Sequence, residues 1–296
     1  MEKNREPDDT RHPAIIDQQN RLDRLRDDIF RLGLEKNVVE LELYGYTIVP
    51  GVKSLEFFDE LREAILRLSE EDAKADRALP IAGPEGKSAL VAQLLVRGRI
   101  FEEAVMAEAP LTLVTYLLGE SCQISSCHGH IRAQGDPPQG MHVDTPFVPE
   151  PIPGFHHTCN MMWCTEDFSL DAGGTFVVPG SHKRGVHPTP GNSTRKMAIP
   201  VDAPRGSVIV FTGNLWHGAG ARTLPGLRVG MTVYFSRMYA RTQEPLNELV
   251  SDEIVARNPP RFAELVGRYN PYPSDRYGFD VAKLARYAGK TNDPRG

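Results

Sequence analysis

A histidine and an aspartate two residues apart, with a distant second histidine, could bind a metal ion in this chain of 296 residues. His142 and Asp144 belong to the run QGMHVD, which is expected to be extended. Side chains two residues apart in an extended segment point the same way, so an imidazole and a carboxylate would lie side by side. With His217, in the run NLWHGAG, they would form the two-histidine, one-carboxylate set of non-haem Fe(II) sites, which leaves positions open for co-substrates.

An arginine follows the second histidine after eleven residues, near the start of an apolar strand. Arg228 belongs to the run LRVGMTVYF, and burying a guanidinium among such residues is costly unless an anion pairs with it. One hairpin could return Arg228 beside His217. The planar donors of arginine match a carboxylate, so we expect either a protein anion or a ligand anion at this position.

The first third of the chain is expected to be helical. Apolar residues spaced by three and four predict an amphipathic helix over 22–32. A run over 44–50 predicts a short strand, and a second amphipathic helix follows it. Residues 72–90 contain several prolines and glycines and are expected to form a loop. A third helical stretch covers about 99–118, with an interruption at Pro110.

The pattern of apolar residues changes after Gly119. Short apolar runs bounded by Gly, Pro, Asn and Asp follow one another up to about residue 240. Such runs, separated by turn residues, are typical of a sandwich or barrel of the jelly-roll kind. Strands are predicted near 122–133, 139–144, 157–166, 174–178, 207–212 and 227–236.

The fold class is therefore predicted to be mainly β with flanking helices. One domain is expected to cover residues 1–296. Within it, we expect an N-terminal helical extension over 1–36, a catalytic jelly-roll with helices over 37–244, and a C-terminal helical tail over 245–296.

Composition argues against several classes of protein. The chain is 40% hydrophobic and 25% charged, with a net charge of −5, which is ordinary for a globular protein. The acidic balance argues against binding to nucleic acid or to an anionic membrane. The sequence contains no apolar run of the length that spans a bilayer and no signal peptide, so we expect a cytoplasmic protein whose four cysteines are reduced and buried.

Four segments in this order resemble the phytanoyl-CoA dioxygenase-like (PhyH) family of Fe(II)/2-oxoglutarate oxygenases. They are ELYGYTIVPGV at 42–52, HVD at 142–144, GGTFVVPGSH at 173–182, and His217 followed by Arg228. The resemblance covers about 40–240. It implies a double-stranded β-helix (a cupin-like jelly-roll) and an oxidation that uses Fe(II), O2 and 2-oxoglutarate and releases succinate and CO2.

The resemblance also implies roles for individual residues. Iron would be bound by His142, Asp144 and His217, which are then the catalytic residues, and Arg228 would bind the distal carboxylate of 2-oxoglutarate. Halogenases of the same superfamily have Gly or Ala in place of the carboxylate ligand. The presence of Asp144 therefore favours hydroxylation or a related oxidation.

Three further residues match or approach co-substrate positions of the family. Gln139, three residues before the first ligand, and Thr175 match positions that hydrogen-bond 2-oxoglutarate in relatives. Gln93 lies where many relatives have an asparagine with the same role.

Apolar residues near the predicted ligands suggest the substrate. Pro146, Phe147 and Trp216 would form the mouth of an apolar pocket, and the proline-rich segment 146–154 would form its rim. We therefore expect an apolar small-molecule substrate of the kind met in secondary metabolism. The 22–32 helix could serve a homodimer.

Two alternatives stay open at this point. An acyl-CoA hydroxylase, as the family name implies, would need a basic patch for the CoA phosphates, and only Lys183, Arg184 and Arg195 are near the Ser-His turn. A cupin-like isomerase or binding module that does not oxidise its ligand could instead use His128 and His130, which also share one face of a strand.

Overall fold

The structure is a computed structural model that describes residues 13–80, 88–145, 148–189 and 192–268, with two short strands beyond them. The helices in these ranges are α1 (Pro13–Arg31), α2 (Glu35–Tyr44), α3 (Leu55–Lys74), α4 (Arg99–Val105), α5 (Glu108–Leu118), α6 (Asn192–Arg195), α7 (Leu246–Leu249), α8 (Asp252–Ala256) and α9 (Pro260–Leu265). The strands are β1 (Tyr46–Val49), β2 (Leu79–Pro80), β3 (Ala89–Val91), β4 (Gln123–Ala133), β5 (Thr158–Cys164), β6 (Thr175–Val177), β7 (Ile199–Pro200), β8 (Ser207–Thr212), β9 (His217–Ala219), β10 (Leu227–Ser236), β11 (Ser274–Asp275) and β12 (Gly278–Phe279).

Two antiparallel sheets form the body of the molecule. The large sheet has seven strands in the order β1-β8-β5-β10-β4-β3-β2, and the small sheet has the order β7-β6-β9. An isolated bridge between His142 and His217 adds one more pairing to the edge of the small sheet. Residues of both sheets line one cavity, so the sheets face each other across it. The predicted mainly β architecture with flanking helices is confirmed.

The large sheet has one apolar face and one polar face. On β5, Met161 and Trp163 point to the helical side, where the Trp163 ring lies 5.4 Å from that of Phe58 on α3. Burying a side chain of this size contributes roughly 1.5–3 kcal/mol. Asn160 and Met162 alternate with them and line the cavity. The apolar residues of the strands therefore anchor the sheet to the helices and leave the opposite face for polar groups.

A glycine on β4 allows α3 to pack closely on the sheet. A Cβ atom at Gly129 would lie 2.6 Å from Cγ2 of Ile65, which is fully buried. We expect Gly129→Ala to lower the free energy of unfolding by about 1–3 kcal/mol through overpacking. Urea unfolding measures this loss. In a double-mutant cycle with Ile65→Ala, the combined loss should be smaller than the sum, and strict additivity would contradict the contact.

Several predicted elements differ in the structure. Segment 139–144 contributes only the bridge at His142, because it is held by hydrogen bonds to the β8–β9 region and forms no continuous ladder. The helical break lies between α4 and α5, before Pro110. That proline lies in the first turn of α5, where its missing N–H has no helical partner to lose.

The predicted loop at 72–90 also contains ordered elements. It includes the end of α3 and the paired strands β2 and β3. Of the predicted helical tail over 245–296, the part up to residue 268 contains α7, α8 and α9, and residues 280–296 lie outside the described residues. In the part of the chain that the structure describes, no helix combines the length and apolar character needed to cross a membrane.

Candidate active site

The side chains of His142, Asp144 and His217 come together in the cavity between the two sheets. The cavity has a volume of about 440 Å³. His142 Nε2 lies 3.6 Å from Asp144 Oδ1, and His217 Nε2 lies 3.3 Å from Asp144 Oδ2. One donor atom from each residue lies within 4.8 Å of the other two. Metal bonds of about 2.0–2.2 Å place neighbouring donors about 3 Å apart, so this set needs little movement to bind an ion.

Backbone pairing explains why residues so distant in the chain meet. The amide of His142 donates to the carbonyl of His217 at 2.9 Å, and the amide of His217 donates back at 3.0 Å. The amide of Asp144 donates to the carbonyl of Gly213 at 2.8 Å. The two histidines thus lie opposite each other, and their ring centroids are 4.3 Å apart.

Each imidazole is oriented by a backbone carbonyl two residues earlier in the chain. Nδ1 of His142 lies 2.9 Å from the oxygen of Gly140, and Nδ1 of His217 lies 2.9 Å from the oxygen of Leu215. A carbonyl oxygen only accepts, so Nδ1 of each ring carries a proton and Nε2 is the nitrogen that faces the centre of the group. This is the outer support that metal-binding histidines usually have.

His142 and Asp144 favour the protonation states that bind a metal ion, and Asp144 also acts on His217. Burial raises the pKa of Asp144, but His217, His142 and a hydrogen bond from Asn160 outweigh burial and hold that pKa below its ordinary value. Burial lowers the pKa of His142, which favours the neutral imidazole. Burial also acts to lower the pKa of His217, but Asp144 outweighs burial and raises that pKa, so His217 would release a proton when it binds a metal ion. A carboxylate and a neutral imidazole are the forms that bind metals.

Asn160 orients the carboxylate. Its Nδ2 donates to Asp144 Oδ2 at 2.7 Å, and the residue is buried on β5. We expect Asn160→Ala to weaken Co(II) binding by roughly 10- to 100-fold, because loss of an outer partner frees the ligand to turn. Titration followed by the visible absorption of Co(II) measures this. Thr232→Val, on the same cavity wall, is the control and should bind Co(II) normally; equal affinities in both variants would contradict the role.

Arg228 is a buried cation that faces the same cavity. It is 3% exposed, and its guanidinium carbon lies 4.3 Å above the ring of Phe168. Its Nε has no hydrogen-bond partner among the described residues. Burial, with a smaller effect of Arg132, lowers its pKa to about 10, so it remains charged at neutral pH.

The neighbouring Arg132 lies close to a carboxylate, whereas Arg228 forms no ion pair within the described ranges. Arg132 pairs with Arg228 across β4 and β10. Its Nε lies 3.5 Å from Asp136, and it donates to the oxygen of Pro137 at 2.6 Å. No carboxylate in the described ranges forms an ion pair with Arg228. A buried cation without a counterion, open to a cavity, is suited to an anionic ligand.

The structure brings two of the three predicted co-substrate residues to the cavity. Gln139 and Thr175 line it. Gln139 Oε1 accepts from the amide of Ala219 at 3.1 Å, which leaves its amide nitrogen as a donor. The structure does not bring Gln93 to the cavity: this residue is exposed, has a left-handed backbone (φ 57°), and is not one of the lining residues.

The predicted apolar mouth is not formed by Trp216. This residue packs against Val143 and Val178, and its Nε1 donates to the oxygen of Val186 at 3.0 Å. Its ring is therefore buried in a small cluster beside the ligands and does not line the cavity. Pro146 and Phe147 lie outside the described residues.

Sequence reasoning missed two residues that line the cavity, Asn160 and Arg132, and one that lies behind its wall, Glu244. Asn160 could have been recognised from the sequence, because it is the one polar amide in the otherwise apolar run CNMMWC. The sequence indicated Arg132 more weakly: it lies two residues after His130 on β4, so its side chain is expected on the same face of the strand as those of His128 and His130. Glu244, which contacts His128 at 3.0 Å, lies in an irregular segment where no periodicity identifies it.

Comparisons with known proteins agree with this geometry. The family model described as phytanoyl-CoA dioxygenase (PhyH) matches residues 41–230. The uncharacterized protein Rv1501 of Mycobacterium tuberculosis is 26% identical over 270 residues, which cover 87% of this chain and 91% of the relative. Dioxygenase af480 of Aspergillus fumigatus is 24% identical over 242 residues, which cover 79% and 77%.

Two solved structures of similar fold contain a bound metal ion. HygX from Streptomyces hygroscopicus, with nickel and 2-oxoglutarate bound, has a TM-score of 0.59 at 13% identity and covers 70% of this chain and 89% of its own. EctD from S. alaskensis, with bound Fe, has a TM-score of 0.56 at 18% identity and covers 71% and 79%. These likenesses confirm the predicted jelly-roll core.

Proposed function

The chain belongs to the phytanoyl-CoA dioxygenase family, and from this premise we propose that it hydroxylates, or otherwise oxidises, a C–H bond of a small molecule. Its class is that of the non-haem Fe(II)/2-oxoglutarate-dependent dioxygenases. The observation that carries the proposal is the convergence of His142, Asp144 and His217 in one cavity with the buried guanidinium of Arg228, whose Nε has no hydrogen-bond partner among the described residues.

His142, Asp144 and His217 would hold the iron. The set fits Fe(II), because both imidazoles present Nε2 and the carboxylate is held in its ionised form. Bound Fe(II), with O2 and 2-oxoglutarate, supplies the oxidising power, and 2-oxoglutarate is released as succinate and CO2. Asn160 keeps the carboxylate in position.

Arg228, Gln139 and Thr175 would bind 2-oxoglutarate. The guanidinium offers paired donors to the distal carboxylate, and the Phe168 ring beneath it limits its rotation. The amide of Gln139 and the hydroxyl of Thr175 open into the same cavity. Together they would fix the co-substrate in one orientation and replace the water that would otherwise solvate its charge.

A second cavity supports a substrate with an apolar body. It has a volume of about 500 Å³ and shares Tyr234 and Gln243 with the first cavity. Val148, Tyr239 and Ala240 line it together with polar residues such as His157 and Arg241, and apolar atoms make up most of its exposed wall. The first cavity has a more polar wall, so the proposed substrate is an apolar skeleton that carries at least one polar group.

The proposal is tested by supplying purified protein with Fe(II), 2-oxoglutarate and O2. Succinate should form slowly without substrate and faster with a suitable small molecule. A cupin-like module that does not oxidise its ligand would form none with any compound. A strict requirement for CoA thioesters over free acids and alcohols would instead establish the acyl-CoA alternative.

Three expectations from the sequence remain predictions. They are the single-domain arrangement, the homodimer and the cytoplasmic location. Sedimentation equilibrium of the purified chain would test the dimer directly.

A further inference from the structure

A histidine that lines the active-site cavity, His128, is paired with a buried carboxylate behind the cavity wall, and neither residue has a part in the proposed iron site. His128 Nε2 lies 3.0 Å from Glu244 Oε1, and both residues lie apart from the three proposed iron ligands. Glu244 is 5% exposed. Its carboxylate also accepts from the amide of Gln93 at 2.7 Å and from that of Cys127 at 3.1 Å. Three donors on one buried carboxylate hold it in a fixed place.

This fixed carboxylate determines which nitrogen of His128 is free. A carboxylate oxygen accepts hydrogen bonds, so the Nε2 proton of a neutral imidazole is directed to Glu244. Nδ1 is then left with its lone pair. Because His128 lines the cavity and its side chain is 22% exposed, Nδ1 is available as an acceptor for a bound molecule.

A hydrogen-bond donor lines the same cavity as this acceptor. Ser126, two residues before His128 and on the same face of β4, donates its hydroxyl proton to Gln243 Oε1 at 2.7 Å. The backbone amide of Gln243 is held by Ser125 Oγ at 3.0 Å. The oxygen of the Gln243 side chain is therefore occupied, and its amide nitrogen is the group left to donate to a ligand.

Nδ1 of His128 is an acceptor and the amide nitrogen of Gln243 is a donor, and both residues line the cavity. Together they match a ligand group that both donates and accepts hydrogen bonds. A hydroxyl group does so through one oxygen atom. A carboxylate would not, since it has no proton for His128 and would lie near the charge of Glu244. A hydrocarbon would leave both protein groups unsatisfied.

We propose that His128 and Gln243 bind a hydroxyl group of the substrate, with Glu244 as the positioning residue that orients the imidazole. This inference rests on the proposed function and specifies its substrate class as an alcohol. Gln243 also lines the second cavity. A substrate anchored here by its hydroxyl could therefore extend its apolar skeleton into that cavity while another carbon faces the metal site.

Anaerobic binding of matched probes tests the proposal without turnover. The probes are menthol with p-menthane, borneol with bornane, and cyclododecanol with cyclododecane. Each is added to protein loaded with Fe(II) and 2-oxoglutarate, and the change in the visible charge-transfer band gives its dissociation constant. At least one alcohol should bind roughly 10-fold or more tightly than its deoxy analogue, because only the alcohol can form the hydrogen bonds to His128 and Gln243.

Two variants test whether His128 and Gln243 cause the preference for the alcohol over its deoxy analogue. His128→Leu and Gln243→Leu should each bring the alcohol and its deoxy analogue to similar affinity. Thr232→Val, on the same wall, should keep the preference. All three should retain the charge-transfer band of bound 2-oxoglutarate, which shows that the fold and the metal site are intact.

A spectroscopic measurement tests the role of Glu244. In the metal-free protein, 15N NMR of labelled histidine should show His128 protonated at Nε2, and Glu244→Gln should reduce both that preference and the preference for alcohols. A purely structural role for Glu244 would change stability and leave the tautomer unaltered.

Failure of the proposed function and failure of the proposed hydroxyl site would give different results. A protein that forms no charge-transfer band and no succinate contradicts the proposed function itself. A protein that forms the band but binds no alcohol better than its deoxy analogue, or keeps the preference in His128→Leu, overturns the hydroxyl site alone.

Discussion

Arg228→Met is expected to abolish useful binding of 2-oxoglutarate and, at the same time, to stabilise the ligand-free protein. The side chain is buried with its Nε unpaired, and a buried charge without a partner opposes folding. Methionine has a similar length and can keep a sulfur contact with Phe168. The free energy of unfolding should rise by on the order of 1 kcal/mol, as when buried charges are replaced by apolar residues.

The loss of ligand binding should be much larger than this gain in stability. Truncating one partner of a buried, hydrogen-bonded charge pair costs about 2–5 kcal/mol, which corresponds to roughly a 30- to several-thousand-fold weaker affinity for 2-oxoglutarate. Anaerobic titration of the Fe(II)-loaded protein measures that affinity. Thermal unfolding with and without 2-oxoglutarate measures the stability, because a ligand that binds only the folded state raises its melting temperature.

Arg228→Lys is the matched control for this experiment. It keeps the charge but lacks the planar pair of donors. We expect intermediate affinity for 2-oxoglutarate and no gain in stability without the ligand. If the methionine variant bound 2-oxoglutarate as well as the natural protein, or unfolded more easily, Arg228 would have another role.

His217→Ala is expected to remove bound Fe(II) and all succinate formation that depends on it. This residue is buried and supplies one of the three proposed donor atoms, 3.3 Å from Asp144. The loss in metal affinity should exceed the roughly 10- to 100-fold expected when only an outer partner is removed. Metal analysis after gel filtration and the visible band of the 2-oxoglutarate complex are the two measurements.

His128→Leu is the control, because it removes an imidazole from the same cavity wall without touching the proposed ligand set. It should retain iron at a ratio close to one per chain. The reverse pattern, with iron kept in His217→Ala and lost in His128→Leu, would assign the metal to the rival histidine pair.

Much of the site could be predicted because its geometry is local. His142 and Asp144 lie two residues apart, and an extended backbone places such side chains on one side without help from the rest of the fold. The apolar runs of β4, β5, β8 and β10 were recognisable for a similar reason, since each is a short apolar segment between turn residues. Their bounds agree with the structure to within about two residues.

Other cavity residues could not be predicted, because their roles depend on contacts across the chain. Asn160 reaches Asp144 only because β5 lies in the sheet beside β10. Glu244 reaches His128 from a segment 116 residues later. Gln93 was misplaced because its backbone turns into the left-handed region and directs its amide, not its side chain, toward Glu244.

By itself, the sequence determined which side chains could act together over short distances: the His-x-Asp pair, the polar alternation of β4 and the cation at the start of β10. Only the tertiary structure decided that the second histidine pairs its backbone with the first and that His128 is oriented by a carboxylate. It also decided that, within the described part of the chain, Arg132 has a counterion and Arg228 has none. The physical reason is that side-chain direction along a strand follows from covalent geometry with a period of two. The meeting of distant strands depends instead on the packing of apolar faces that many different sequences can provide.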